Sequence, residues 1–353
     1  MADVAAHLGV SRQLVSIVLR DVPGASPATR ERVRTAAAEL GYSPHMGART
    51  LRQTRSRHIG VVFAPAHATE PDIVEAIYPA AAEHGYQVVL SAQTATRSTP
   101  KAVEELLGYR CAAIIVIGSL LADADMRTLA RRTKVPLVAV GAGERNAAFD
   151  VVRSAGDTGI ALAVRHLVEL GHRRIAYVHS AAMPPAALRL KGYVRAVGEA
   201  GLEADVVSPS GPDYTEESGA AAGRELLDRT QLPTAVVTGN DQEAVGMMQL
   251  LTRAGIVVPD DISLTGFEDS RFARLSSVDL TTARQDPGKM GQAAVSAAVR
   301  RIDRPNLRPS LCVIDPSLIV RSSTGRPAGR RVARRARSRG SGEGAREAVS
   351  AAR

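Results

Sequence analysis

Apolar positions recur at helical spacing through the first forty residues and then change rhythm. Val4, Ala5 and Leu8 fall on one face of a short helix, and Leu14, Val15, Val18 and Leu19 on one face of a second. Gly9 stands where the chain leaves the first helix, a position suited to positive φ. Ser11 can cap the second helix through its hydroxyl. Arg12, Gln13, Ser16, Ile17 and Arg20 are left pointing outward. Ser26-Pro27 starts a third helix, with Ser as N-cap and Pro at the first helical position. Val33, Ala36, Ala37 and Leu40 are its inward face, and Gly41 ends it. Residues 3–42 thus predict a three-helix unit with a small core. Two helices meeting at a corner, with Arg and Gln outward on the second, is what major-groove reading requires. An αα-hairpin packed on a larger core is the other reading of the same residues.

Residues 45–52 are a marginal helix containing Gly47, too short to persist alone in water. They predict either a segment ordered against DNA or a partner chain, or a flexible linker. From Ile59 apolar runs alternate with amphipathic segments. Strands are predicted at 59–63, 87–90, 113–117 and 137–140, with helices at 71–84, 100–107 and 125–132 between them. After a break near 150–156 the alternation restarts: helices at 157–170, 186–200, 215–227 and 241–254, strands at 175–179, 205–207, 235–238 and 262–265. A β-capable run at 280–286 leads into a helix at 287–301, and runs at 311–314 and 318–320 suggest a late crossing between halves. Such alternation implies right-handed βαβ units, parallel sheets and two lobes with a cleft at the carboxyl ends of the strands.

Charge adds a direction. Residues 1–58 hold nine Arg against four acids, and residues 324–353 nine Arg against two, so the ends carry +5 and +7 of a net +9. The body is mildly acidic, which points to a polyanion partner for the ends. The Arg-rich end 324–353 predicts a disordered tail, either touching phosphates or simply solvated. Cys111 and Cys312 are far apart, without the spacing of a disulfide framework or a zinc site. The absence of a long apolar run or a leader pattern at Met1 predicts a cytoplasmic protein with no membrane partner.

Several strings, in this order, resemble LacI-type transcriptional regulators: Asp3-Val-Ala-Ala-His-Leu-Gly-Val-Ser, Ser26-Pro-Ala-Thr-Arg-Glu-Arg-Val, Leu40-Gly-Tyr-Ser-Pro, His166-Leu-Val-Glu-Leu-Gly-His-Arg-Arg-Ile, Gly239-Asn-Asp-Gln-Glu-Ala-Val-Gly and Asp261-Ile-Ser-Leu-Thr-Gly-Phe. The resemblance runs from Asp3 to about Thr324. It implies an all-α helix-turn-helix domain (1–43), a hinge helix and linker (44–58) and an α/β two-lobed, periplasmic-binding-protein-like sensor (59–323). Lobe 1 would comprise about 59–153 plus 284–312, and lobe 2 about 154–283 plus 313–323. It further implies a role as repressor on a pseudo-palindromic double-stranded operator, acting as a homodimer whose DNA affinity a small polar effector changes.

Residue by residue, the resemblance assigns base reading to Arg12, Gln13 and Ile17, and backbone contacts to Ser11, Ser16 and Arg20. Arg suits guanine O6/N7, Gln suits adenine N6/N7, and Ile offers apolar contact to a thymine methyl. Ile17 stands where many relatives are polar, which predicts a different operator preference. Ala48 and Leu51 would face the minor groove, Leu51 as a wedge kinking the DNA at a cost of roughly a few kcal/mol. In the sensor the effector residues would be Arg189, Tyr214, Asn240, Asp241, Glu268 and Gln285. Asp241 suits a helix N-cap equally well. Ala155-Gly156 replaces a polar pair, Glu268 replaces the usual Asp, and residues 67–72 lack the usual aromatic pair that stacks on a pyranose. A sugar effector is therefore not carried over. The usual Thr and aliphatic lead before Asp3 is missing, which predicts codons for it upstream of Met1.

Two other classes remain open on the residues. A solute-binding sensor with a degenerate DNA-binding domain would lose nothing on deletion of 1–58. An enzyme would need a nucleophile elbow, P-loop, HExxH or Cys/His arrangement, and none is present. Gly141-Ala-Gly-Glu-Arg-Asn146 only approaches a dinucleotide fingerprint. His166, His172 and His179 lack ligand spacing. No catalytic residue, metal site or cofactor is expected. The tail shows no leucine heptad of the kind that joins dimers, which favours a dimer over a tetramer.

Overall fold

The structure, a computed structural model, describes residues 1–19, 21–42, 56–118, 121–141, 144, 147–180, 185–209 and 214–327. It divides into two compact units, Met1–Ser56 and Arg57–Arg353. Arg20, the hinge positions His45, Ala48 and Leu51, and the tail beyond residue 327 lie outside the described residues.

In the first unit, α1 (Ala2–Leu8), α2 (Arg12–Leu19) and α3 (Pro27–Glu39) close around Val4, Ala5, Val15, Val18, Val33, Ala36 and Ala37. Gly9 ends α1 in the left-handed region at φ 64°, its turn closed by the carbonyls of Ala5 and Ala6. Ser11 Oγ accepts from Leu14 N at 3.1 Å and Ser26 Oγ from Thr29 N at 3.2 Å, so both predicted caps form. The loop after α2 is pinned by Arg30, which donates to Asp21 Oδ1 at 2.9 Å and to Val22 O.

The second unit holds two six-stranded sheets, which define two lobes. In lobe 1 the strands are β1 (His58–Phe63), β2 (Gln87–Ala92), β3 (Ala113–Ile117), β4 (Leu137–Val140), β5 (Asp150–Ser154) and β11 (Leu311–Ile314), ordered β11-β5-β4-β3-β1-β2. In lobe 2 they are β6 (Ile175–Val178), β7 (Asp205–Val207), β8 (Ala235–Val237), β9 (Ser263–Glu268), β10 (Thr281–Arg284) and β12 (Ser317–Ile319), ordered β12-β10-β9-β8-β6-β7. Every pair is parallel except β10 with β12. Both faces of each sheet are covered, which is why the strands read as unbroken apolar runs. In lobe 1, Ile115 and Ile117 pack towards α4 (Glu70–Glu83) and α11 (Pro287–Asp303). Ile114 and Val116 pack on the other side, towards α5 (Thr99–Gly108) and α6 (Asp123–Thr133). In lobe 2, α7 (Gly156–Glu169) and α8 (Ala186–Glu199) cover one face, and α9 (Glu216–Leu227) and α10 (Asp241–Arg253) the other.

Three details differ from the sequence expectation. The break near 150–156 contains β5, whose start is an Asp with no exposure. Asp150 is fully used: it accepts from Arg300 (2.8 Å), Arg301 (3.1 Å), Ser310 N (2.8 Å) and Ser310 Oγ (2.7 Å). The chain passes between sheets after Ser154, after Arg284 and after Ile314, so β11 carries lobe 1 past the expected end at 312. The ordered chain also reaches beyond 324. Thr324 Oγ1 bonds His166 Nε2 at 2.9 Å, and Gly325 O accepts from His172 Nε2 at 2.8 Å, which gives both histidines structural partners.

Candidate functional site

In the first unit, α2 presents Arg12 and Gln13 to solvent, next to the exposed cap Ser11. Ser16 and Ile17 are half-buried. Ile17 reaches back over the following loop, where a Cβ on Gly24 would stand 3.6 Å from its Cγ2. The outer edge of α2 is therefore polar at its start and apolar one turn later.

In the second unit, a cleft between the lobes offers about 80 Å³ to the centres of water-sized molecules. It lies where strand order reverses in each sheet: between β1 and β3 in lobe 1, and between β6 and β8 in lobe 2. Its lining includes Arg189, Tyr214, Asn240, Glu268 and Gln285, five of the six residues expected there. The sixth, Asp241, is a correction. Asn240 rather than Asp241 is the N-cap of α10, accepting from Glu243 N at 2.9 Å, so the next side chain turns inward. Asp241 has no exposure and accepts from Ser270 N and Thr282 Oγ1, each at 2.6 Å. It braces the site from behind. Burial, with Glu268 nearby, pushes its carboxyl up to about 7.

Arg189 is the centre of the lobe 2 face. It is 5% exposed, its guanidinium carbon is 4.1 Å from the centre of the Phe267 ring and 5.2 Å from that of Tyr214, and Nη1 donates to Gly239 O at 2.7 Å. Glu268 Oε1 is 4.0 Å away. The replacement at Ala155-Gly156 acquires a reason here, since a Cβ on Gly156 would press at 3.2 Å on Arg189 Cγ. Tyr214 sits at φ 59° and Glu268 at φ 117°, conformations that L residues rarely adopt and that concentrate at binding sites. Asn240 Nδ2 donates to Tyr214 O at 3.1 Å and holds that turn. Behind it, Glu243 accepts from Ser180, Ser218 (3.2 Å), Gly239 N (3.0 Å) and Asn240 N (3.3 Å), tying the ends of β6 and β8 to the start of α9. Burial pushes Glu243 up to about 7.

Sequence reasoning placed residues 67–72 at the site only for the aromatics they lack, and named neither polar residue there. His67 and Glu70 follow β1 and line the cleft. Glu70 Oε1 meets His67 Nδ1 at 2.7 Å, and Oε2 accepts from Ala64 N at 2.5 Å. The bond to Glu70 holds the His67 imidazole above its ordinary pKa, and burial raises the Glu70 carboxyl. Gly118, at φ +55°, makes room for that acid: a Cβ there would lie 1.9 Å from Glu70 Oε1. Ala68 N donates to Gln242 Oε1 at 3.1 Å, and Thr69 hydrogen-bonds Glu268, so the loop after β1 bridges the lobes. The signal was available, since the end of β1 flanks the switch point and residues there are the ones a ligand meets.

A compact helix-turn-helix unit on a chain with a two-lobed, doubly wound body defines a class of DNA-binding regulators with a sensor. Comparison with known proteins agrees. Residues 1–45 match the family described as bacterial regulatory proteins, lacI family, and residues 164–324 match the periplasmic binding protein-like domain. The HTH-type transcriptional regulator MalR of Streptomyces coelicolor is 34% identical over 349 residues, covering 94% of this chain and 98% of its own. Among solved structures, the lac repressor dimer bound to operator and the anti-inducer ONPF is 30% identical, with TM-score 0.77 over 92% of this chain and 98% of its own. The complex of the transcriptional regulator CelR with cellobiose is 31% identical, with TM-score 0.68 over 91% of this chain and 98% of its own. The chain belongs to the LacI family. It is a DNA-binding transcriptional regulator and not an enzyme.

Proposed function

We propose that this regulator is a repressor that binds a pseudo-palindromic operator as a homodimer and changes its grip when a small polar effector enters the cleft. The carrying observation is that the cleft is lined by buried polar groups from both lobes, so a ligand bonded to them biases how the lobes stand. Arg189, Tyr214, Asn240, Glu268 and Gln285 contact the effector, with His67 and Glu70 opposite. Arg12 and Gln13 read bases, Ile17 meets a thymine methyl, and Ser11, Ser16 and Arg20 hold phosphates. Ala48 and Leu51 enter the minor groove. The kinship with a lac repressor seen as a dimer on its operator supports the DNA and dimer parts, and the cellobiose-bound CelR supports a hydroxyl-rich effector. The kinship with MalR and the ribose operon repressor supports a cytoplasmic regulator.

The test is selection of bound DNA from a random pool, repeated with metabolites present. A two-fold symmetric consensus is expected, with affinity falling steeply as salt rises. Arg12→Ala should relax specificity at one base position per half-site and cost about 1–3 kcal/mol. Binding that ignores sequence would sink the proposal.

A further inference from the structure

Four chargeable side chains line the cleft, and they pair off: His67 with Glu70 at 2.7 Å on the lobe 1 side, Arg189 with Glu268 at 4.0 Å on the lobe 2 side. Two cations answer two carboxylates, so a charged ligand would give up its hydration without gaining a free counter-charge. The uncharged lining is divided between the lobes as well. On lobe 1 it is aliphatic. Ile73, Ile117, Val140 and Met290 belong to the apolar cluster that joins the sheet to α4 and α11, and that cluster reaches the cleft beside Gly118 and Gly141. The polar groups of lobe 1 are already spent, Glu70 on His67 and Ala64 N, and Thr69 on Glu268. On lobe 2 polar capacity is left over. Arg189 Nε and Tyr214 Oη, in side chains each 5% exposed, make no hydrogen bond among the described residues, and the amide of Gln285 also lines the cleft. Of Phe, Tyr and Trp, only Tyr214 is among the described lining residues, and the Arg189 guanidinium carbon already stands 5.2 Å from its ring centre. The apolar contact on offer is therefore with aliphatic side chains and not with a flat ring. A hydroxyl set on that wall loses water and finds no partner, whereas a methyl gains by leaving water.

We infer that the effector is a neutral, two-sided molecule, a deoxy sugar whose hydroxylated edge meets Arg189, Tyr214 and Gln285 on lobe 2 while its methyl-bearing side lies on Ile73, Val140 and Met290 of lobe 1. This rests on the cleft being the effector site, as proposed above. A fully hydroxylated sugar satisfies lobe 2 equally well and strands a hydroxyl on the aliphatic wall. Amino sugars and sugar acids bring a charge that the paired side chains do not answer.

The test uses full-length protein at pH 7, with thermal shift and titration calorimetry on pairs that differ in one hydroxyl. L-rhamnose is set against L-mannose, L-fucose against L-galactose and D-quinovose against D-glucose, with glucosamine and glucuronate as charged controls. In at least one pair the deoxy member should bind about tenfold or more tighter than its parent, the discrimination that one group in an apolar pocket supplies. Neither control should bind. Val140→Thr sets a hydroxyl in the aliphatic wall and should bring the two members to within about threefold of each other, chiefly by tightening the parent. Ile73→Thr serves as the second variant should the first not fold. A parent or charged control that binds as tightly as the deoxy member overturns the inference. So does a panel in which no deoxy sugar binds, or a preference unchanged in both variants. If a fully hydroxylated parent binds best and changes operator occupancy, the effector reading stands and only this inference falls. If binding of the deoxy sugar survives Arg189→Ala, the ligand is not held in the cleft and both fall.

Discussion

On the lobe 2 side of the cleft, Arg189, Tyr214 and Asn240 are backed by a second layer of buried groups, with Asp241 and Glu243 each accepting several hydrogen bonds. On the lobe 1 side, His67 and Glu70 are held by each other, by Ala64 N and by the space that Gly118 leaves. One face is built in depth, and the other is a loop and the first residue of α4, held by a few bonds. On the proposed effector reading, a ligand meets a preorganised surface on lobe 2 and, on lobe 1, a loop already bonded across to Gln242. That reading puts specificity on the first face and responsiveness on the second.

The strongest challenge to that contrast is Arg189→Ala. It strips Gly239 O of its donor and leaves Glu268 uncompensated, so effector binding should be lost and stability should fall by about 3 kcal/mol, as when a buried charge loses its partner. Denaturant melts and calorimetry measure both, and DNA binding without effector should survive. Gly118→Ala attacks the other face. It places a Cβ on Glu70 at a positive φ, and should cost about 2 kcal/mol and weaken effector binding without touching lobe 2. If it leaves effector affinity unchanged, lobe 1 has no part in recognition.

Glu243→Gln sharpens the depth argument through pH. The folded carboxyl titrates near 7 and the unfolded one in the ordinary carboxylate range, so between them the folded state binds more protons. Stability contributed by that proton is present in acid and lost as pH rises through 7. The variant, which stays neutral, should gain on wild type by something on the order of 1–2 kcal/mol from pH 5 to pH 8, read as a widening Tm difference. A constant difference would mean that Glu243 is ionised throughout. Smallest of all is Gln242→Ala. It removes the bond to Ala68 N and should cost about 1 kcal/mol of stability while shifting the effector concentration needed for half-release of DNA.

The helix-turn-helix was legible because its signals are local: Gly9, Ser11, Ser26 and Pro27 each act within a few residues of themselves. The alternating strands and helices were legible for the same reason. β5 was not, because its first residue is a charge whose partners, Arg300, Arg301 and Ser310, come from 150 or more residues away. Of the residues the resemblance assigned to the effector, Arg189 and Asn240 line the cleft, whereas Asp241 lies behind it. Adjacent residues at a helix start face different ways, and only the identity of the cap decides which faces the ligand. His67 and Glu70 were hidden by looking ordinary, an acid beside Pro71 being the usual start of a helix.

The three passages between the sheets also govern how the molecule is made. Lobe 1 lacks α11 and β11, and lobe 2 lacks β12, until residues 287–319 have been synthesised. Helix α11 seats its Gly291 against Ala76, where a Cβ would come within 2.8 Å, so an early half of lobe 1 leaves that groove open. Neither lobe can finish on the ribosome ahead of the other. The nascent chain would carry a complete DNA-binding unit well before it carries a working sensor, so ribosome-bound and truncated chains are the population in which the first unit acts without its regulator.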